Sequence, residues 1–240
     1  MANGIKIGNL DISSFKVGGA DCSIYLGDTK LYPTVKYKYQ AKYTDGSEYN
    51  IECDTATGLT SADTRVSSYT DVSAVTVGDC IITLKTNAFS GFTSLDSVSL
   101  PNSLVNINGD AFRGCSSLTS LNIPSGVTYF GNRAFSNCVN LVSINIPSGV
   151  TSLPLNCFAN CYSLEEIEIP SGMTTISSGA FANCSGLTSV TVNATTPPAL
   201  GTNAFNNTNC PIYVPSASVN AYKTATNWSS YASRIQAIPT

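Results

Sequence analysis

Apolar positions along this chain return in a frame of 23 residues. The dipeptides Ala88-Phe89, Ala111-Phe112, Ala134-Phe135, Cys157-Phe158, Ala180-Phe181 and Ala204-Phe205 mark it, the first five 23 apart and the last 24. Seven residues before the first member stand Ile81, Leu104, Val127, Val150 and Met173; four before it stand Leu84, Ile107, Phe130, Leu153, Ile176 and Leu200. Leu95, Leu118, Leu141, Leu164 and Leu187 follow the Phe, and then come alternating apolar pairs such as Ile144/Ile146 and Ile167/Ile169. A period this long belongs to a whole supersecondary unit. More than three copies in succession predict a solenoid, in which each unit buries its apolar face only against its neighbours.

Within a unit, the alternation that ends L-x-x-I-x-I predicts a short strand. The Pro-Ser-Gly after it stops that strand, because Pro has no N–H for a ladder and Gly tolerates unusual φ. V-T-x-I predicts a second extended piece leading to the Ala-Phe anchor, and x-N-C-x-x-L a tight turn toward the next strand. Stacked units give a parallel ladder with rungs about 4.8 Å apart and apolar columns inside. The predicted fold is thus a β-rich solenoid of 23-residue units, with Phe89, Phe112, Phe135, Phe158, Phe181 and Phe205 in its core.

Function then falls to the outward strand positions. They read Asp96, Ser97, Ser99; Thr119, Ser120, Asn122; Val142, Ser143, Asn145; Glu165, Glu166, Glu168; and Thr188, Ser189, Thr191. Their polar members are the candidate ligand-binding residues: many short donors and acceptors with one carboxylate row, suited to a sugar or a protein. The competing reading is a plain solvated face. On this reading Glu166 points away from Glu165 and Glu168, with no confining pocket. Glycoside hydrolysis, which needs a positioned carboxyl pair, is therefore not expected.

The string L-x-x-I-x-I-P-S-G-V-T-x-I-x-x-x-A-F-x-N-C resembles the treponemal, BspA-like class of leucine-rich repeats over roughly residues 77–214. The resemblance implies a leucine-rich-repeat solenoid whose usual role is adhesion to host proteins, polysaccharide or other cells. It implies no catalytic site.

Composition narrows the chemistry further. Only 11% of the 240 residues are charged, the net charge is −3, and no basic cluster offers a footprint for nucleic acid. No apolar run reaches the length of a membrane-spanning helix. The absence of histidine removes Ser-His and Cys-His pairs and His-ligated metals. No enzyme activity, metal or cofactor is expected.

Of nine cysteines, Cys115, Cys138, Cys161 and Cys184 share one column with Phe92, which favours small buried thiols. Rungs about 5 Å apart would also admit a disulfide between neighbours, and a metal ladder is the third reading. Cys157 adds a C-x-x-x-C spacing, a weak zinc signal by itself. Asn137, Asn160 and Asn183 fill the preceding column, where Gly91 and Gly114 stand in the earlier units. Both residue types accept left-handed backbone, so the column reads as a turn and not as a ligand row.

The ends differ in kind. Residues 1–34 form a predicted β module in which IKIGNLDIS, FKVGGADCS and IYLGDTKLY turn at Gly8-Asn9, Gly18-Gly19 and Gly27-Asp28. This segment resembles the leading parts of tail and fibre proteins of phages from gut bacteria. The resemblance implies docking to other virion proteins through residues 1–34 and symmetric homo-oligomers. Residues 35–76 are expected to hold a hairpin around Asp45-Gly46 and an N-terminal cap, and 77–214 the solenoid.

Residues 215–240 are expected to form a helical cap. Val219, Tyr222 and Ala225 recur at helical spacing, Ser216 or Ser218 is the expected N-cap, and Trp228 belongs to the cap. The tail also resembles the C-terminal caps of Bacteroidetes members of the same repeat class. The first residues lack the basic start and apolar stretch of a secretory signal, as expected of a virion protein assembled in the host cytoplasm. The expected function is a structural, adhesive virion component (tail, fibre or capsid-decorating). It displays the repeat to a host-surface protein or polysaccharide without entering a membrane. The alternative is a BspA-like bacterial cell-surface adhesin or scaffold.

Overall fold

The computed structural model describes residues 69–79 and 81–239, together with the strand backbones Ile5–Ile7, Leu10–Ile12, Lys16–Val17, Ile24–Leu26, Thr29–Leu31, Lys36–Tyr43 and Glu48–Cys53. Cys22, Cys80 and the expected polar run before residue 69 lie outside the described residues.

Two rows of short parallel strands run along the repeat. The front row comprises Val72–Val77, Ser97–Ser99, Ser120–Leu121, Ser143–Ile144, Glu166–Ile169, Ser189–Val192, Ile212–Val214 and Ile235–Ala237. The back row comprises Thr83–Leu84, Asn106–Ile107, Tyr129–Phe130, Ser152–Leu153, Thr175–Ile176 and Ala199–Leu200. Register follows the sequence period: Ser120 faces Ser143, Glu166 faces Ser189, and Asn106 faces both Thr83 and Tyr129. Hydrogen-bonded pairing is not continuous. The front row divides after Ser97–Ser99 and after Ser143–Ile144, and the back row after Tyr129–Phe130.

Between back and front rungs, the Ala-Phe segment is a chain of turns that bonds to the next coil. The N–H of Phe112 donates to the Ala134 carbonyl at 2.8 Å, Phe135 to Cys157 at 2.9 Å and Phe158 to Ala180 at 2.8 Å. A residue with positive φ stands at each end of the segment. Gly91, Gly114, Asn137, Asn160, Asn183 and Asn207 follow it, as the left-handed-turn reading requires. A second column precedes it: Asn87, Asp110, Arg133, Asn156, Gly179 and Asn203. Arg133, at φ 57°, is the unusual occupant; its guanidinium forks onto Asp110 in the same column one coil earlier, at 2.9 and 3.0 Å.

The core is a file of rings. Phe89, Phe112, Phe135, Phe158, Phe181 and Phe205 are all buried, with successive centroids 5.2–5.7 Å apart, and from Phe112 onward the planes lie within 6° of parallel. Beside this file run the column thiols, each donating to a Phe carbonyl of the preceding coil. Cys115 reaches Phe89, Cys138 reaches Phe112, Cys161 reaches Phe135 and Cys184 reaches Phe158, at 3.1–3.2 Å. These four, with Cys157 and Cys210, are free and buried.

At the C-terminal end the core is closed by Tyr222 and Trp228. Trp228 Nε1 donates to the Pro198 carbonyl at 2.8 Å and the Tyr222 hydroxyl to the Ala194 carbonyl at 2.7 Å, so the cap satisfies groups that a further coil would have bonded. The helix is short, Val219–Thr224, and is followed by a 3-10 segment, Trp228–Arg234. Two expectations change here. Ser218 occupies the N-cap position but makes no capping bond; its hydroxyl donates to the Thr195 carbonyl at 2.7 Å, tying cap to solenoid. Ile235–Ala237 is a final front rung, paired with Ile212–Val214, where helix had been expected throughout.

Before the repeat, Lys36–Tyr43 pairs antiparallel with Glu48–Cys53 and also with Val72–Val77. Two-residue connections link Ile5–Ile7 to Leu10–Ile12 and Ile24–Leu26 to Thr29–Leu31. The Gly18-Gly19 signal does not make a two-residue hairpin: Lys16–Val17 pairs with Ile24–Tyr25, and residues 18–23 connect them. Ala20-Asp21-Cys22-Ser23 lacks the β-branched or aromatic pair that would start a returning strand at once.

Candidate functional site

The period-2 alternation of the front strands sets which side chains reach solvent. Glu166–Ile169 alternates exposed and buried, so Ile167 and Ile169 enter the core while Glu166 and Glu168 stand outside. The expectation that Glu166 points away from Glu168 is therefore wrong. Two residues apart on one strand, they share a face, and Glu165 precedes the strand. Asp96, Ser97, Ser99, Thr119, Ser120, Asn122, Ser143, Asn145, Glu165, Glu166, Glu168 and Thr188 are exposed; Ser189 and Thr191 are half-buried.

Two depressions adjoin on this face. The larger, about 580 Å³, is lined by Asn145, Ser148, Glu166, Glu168, Ser171 and Asn193, among others. The smaller, about 400 Å³, includes Ser120, Asn122 and Ser143, and shares Ile144, Asn145 and Glu166 with the first. The structure thus brings together candidates from four successive coils into one trough, and leaves Asp96, Ser97, Ser99, Thr119, Glu165 and Thr188 outside it. Ser148, Ser171 and Asn193 escaped the sequence reading. The two serines belong to the Pro-Ser-Gly turns, whose recurrence was taken as punctuation only.

Some of these side chains are already committed. Asn145 bonds both the N–H and the carbonyl of Ile123, at 2.7 and 2.8 Å, standing in for a backbone partner. Asn193 Nδ2 donates to Glu168 at 2.6 Å, which fixes that carboxylate. Among residues 69–239 the cations are Lys85, Arg113, Arg133, Lys223 and Arg234, and none sits on a front strand. The trough therefore offers hydroxyls, amides and carboxylates without a positive charge.

The other chemically suggestive columns face inward. Burial pushes the Cys138 thiol up to about 12 and raises those of Cys115 and Cys157. Cys161 is raised first by its hydrogen bond with Cys184 and then by burial. Neutral buried thiols are poor nucleophiles. The asparagines bond one another: Asn160 to Asn137 and Asn183 to Asn160 at 2.8 Å, and Asn207 to Asn183 at 2.6 Å. Among the described residues no three His, Cys, Asp or Glu side chains gather as a metal set, and no helix is long and apolar enough to cross a membrane.

Comparison with known proteins places this geometry. A family model described as a BspA type leucine rich repeat region matches in six copies over residues 68–211. Among solved structures, a leucine-rich repeat protein from Bacteroides ovatus ATCC 8483 is 19% identical over 87% of this chain, with a TM-score of 0.51. The leucine rich repeat protein of T. pallidum is 22% identical over 76% of this chain and 95% of its own, with a TM-score of 0.47. A leucine rich cell surface protein from Faecalibacterium prausnitzii A2-165 is 21% identical, covering 71% of this chain and 61% of its own, with a TM-score of 0.36. The chain spans 59% of the Bacteroides ovatus protein, whose likeness is one of fold. No curated protein matches. With the family's repeat covering well over half of its length, and a coil geometry that accounts for each position of that repeat, the chain belongs to the BspA-type leucine-rich repeat family.

Proposed function

We propose that this protein is a non-catalytic adhesive scaffold of the bacterial cell-surface kind, binding a protein or polysaccharide through its front ladder. The single observation that carries the proposal is the trough of polar side chains spanning four coils. Its support is chemical. The thiols are sequestered as neutral core groups, and the asparagine column is consumed by its own ladder. What remains in reach of a partner is an array of short polar groups and carboxylates. Such an array suits sugar hydroxyls or a basic protein surface and repels polyanions. Membership of a repeat family whose resemblance implies adhesion supports the same reading.

The virion reading rested on residues 1–34, which lie outside the matched repeat. The family and the relatives named above favour the cell-surface alternative. A pull-down with the full chain tests the choice, using solubilised gut-bacterial envelopes, host matrix extracts and phage-infected lysates, with captured proteins and glycans identified by mass spectrometry. Capture of envelope or matrix components supports the proposal; capture confined to capsid or tail proteins would overturn it in favour of the virion.

A further inference from the structure

We propose that the solenoid is jointed between the coil of residues 127–149 and the coil of residues 150–172, and that the larger trough is the open side of this joint. Both rows of strands lose their pairing at this one junction. The front row divides between Ser143–Ile144 and Glu166–Ile169, and the back row between Tyr129–Phe130 and Ser152–Leu153. Elsewhere a break in one row is spanned by the other: where the front row divides after Ser97–Ser99, the back row runs unbroken from Thr83–Leu84 to Tyr129–Phe130.

The cause on the back side is one residue. In the column after the back rung, the N–H of Asn108 donates to Leu84, Gly131 to Ile107, Ser177 to Leu153 and Gly201 to Ile176, at 2.7–2.9 Å. The residue of that column in the coil between Gly131 and Ser177 is Pro154, which has no N–H to offer the Phe130 carbonyl. Three residues earlier, Thr128 donates to Val105 and Thr174 to Thr151, but among the described residues the matching bond from Thr151 to Thr128 is missing. On the front side Ile144 and Ile146 keep 7% and 8% exposure, where Ile167 and Ile169 keep 3% and 0%. The core is thus less fully covered on this lip. The larger trough draws Asn145 and Ile146 from one side of the junction and Glu166 and Glu168 from the other.

What still crosses the junction is the Ala-Phe segment, with Arg133 bonded to Leu155, Phe135 to Cys157 and Asn137 to Ala159, the Asn137–Asn160 bond, the Cys161 thiol on the Phe135 carbonyl, and the stacked rings of Phe135 and Phe158; ahead of the front rung, Ser163 donates to Val139 at 3.2 Å and Glu165 to Val142 at 3.1 Å. A junction without ladder pairing in either row, held by the Ala-Phe edge and by two bonds ahead of the front rung, is a weak joint of the array. In a solenoid, where stability is a sum of neighbour interfaces, it is also where the array parts first. The inference does not depend on what the trough binds.

Residue-resolved hydrogen exchange of the full chain tests it. The amides of Arg133, Phe135 and Asn137, which bridge the joint, should exchange about tenfold faster than their equivalents Asn156, Phe158 and Asn160 in the next coil, as loss of a backbone bond or more at the interface implies. Pro154→Ser, which installs the residue that this column already uses at Ser177, should remove most of the difference. Equal protection of the two sets in the unmodified chain would overturn the joint. A difference that persists in P154S would overturn its assigned cause.

Discussion

Truncating Phe135 to alanine is the most informative perturbation of the core. Its ring is wholly buried. It stacks on Phe112 at 5.7 Å and on Phe158 at 5.2 Å, each 6° from parallel, and meets the edge geometry of Phe130 at 5.2 Å and 82°. Burying a ring removes about 150–250 Å² from water, and at about 25 cal/mol per Å² this amounts to about 4–6 kcal/mol. Measured Phe→Ala losses run about 3–5 kcal/mol because the site partly collapses. Here collapse is opposed by the file itself, since neither neighbouring ring can move toward the gap without leaving its other neighbour. We expect a loss of about 4 kcal/mol, a large share of the ~5–15 kcal/mol that holds a domain folded.

Urea titration should read it with two probes, far-UV circular dichroism for the whole chain and the single tryptophan, Trp228, for the C-terminal cap. With neighbour coupling cut in the middle of the array, the two curves should separate in Phe135→Ala and coincide in the parent. A loss under about 1 kcal/mol with coincident curves would refute the stacked core.

Other expectations follow from single contacts. Because burial holds the folded Cys138 thiol at about 12 while an unfolded cysteine titrates near 8.5–9, the native state binds more protons across that interval. Stability should be complete below about pH 8.5 and fall as pH rises toward about 12, and Cys138→Ala should lessen this alkaline fall in urea titrations at stepped pH, the other raised thiols keeping the remainder. Asn183→Val should cost about 2–3 kcal/mol in thermal or urea unfolding, since a β-branched residue resists φ 63° and the ladder bonds to Asn160 and Asn207 are lost, whereas Asn183→Gly should cost visibly less. Trp228→Phe keeps the ring but leaves the buried Pro198 carbonyl unpaired, for an expected loss of about 1–3 kcal/mol in the same assay.

How much of this was readable from sequence depends on whether one residue type filled a column. Phe fills the core file six times, and Asn or Gly fills the turn after it, so register, core and left-handed turn were all legible. The preceding left-handed column was not, because Arg133 stands in it beside Asn, Asp and Gly, and only its fork onto Asp110 explains its presence. The outward face was legible as a list but not as a trough. Parity gives exposure, while concavity depends on where pairing stops. The break in the back row was hidden as well, because Pro154 looks unremarkable until its missing N–H is set against the donors of four other coils. Ser218 misled because the rule for helix starts considers only local backbone, and here the nearest carbonyl in need of a donor, that of Thr195, belongs to the solenoid. Pairing of Ile235–Ala237 with the rung before it was hidden by the helical spacing of Val219, Tyr222 and Ala225, which extends no further than the short helix.

The central claim, that the front ladder is the binding face, is tested most directly by blocking each face in turn. Retention of the labelled full chain would be measured on immobilised polysaccharides, matrix proteins and intact bacterial cells. One variant, Ser120→Arg/Ser143→Arg, would crowd the trough from exposed positions; another, Ile82→Arg/Val105→Arg, would do the same on the exposed back row. The account predicts that the front variant loses retention about tenfold or more while the back variant matches the parent. Retention lost in the back variant and kept in the front one would contradict it.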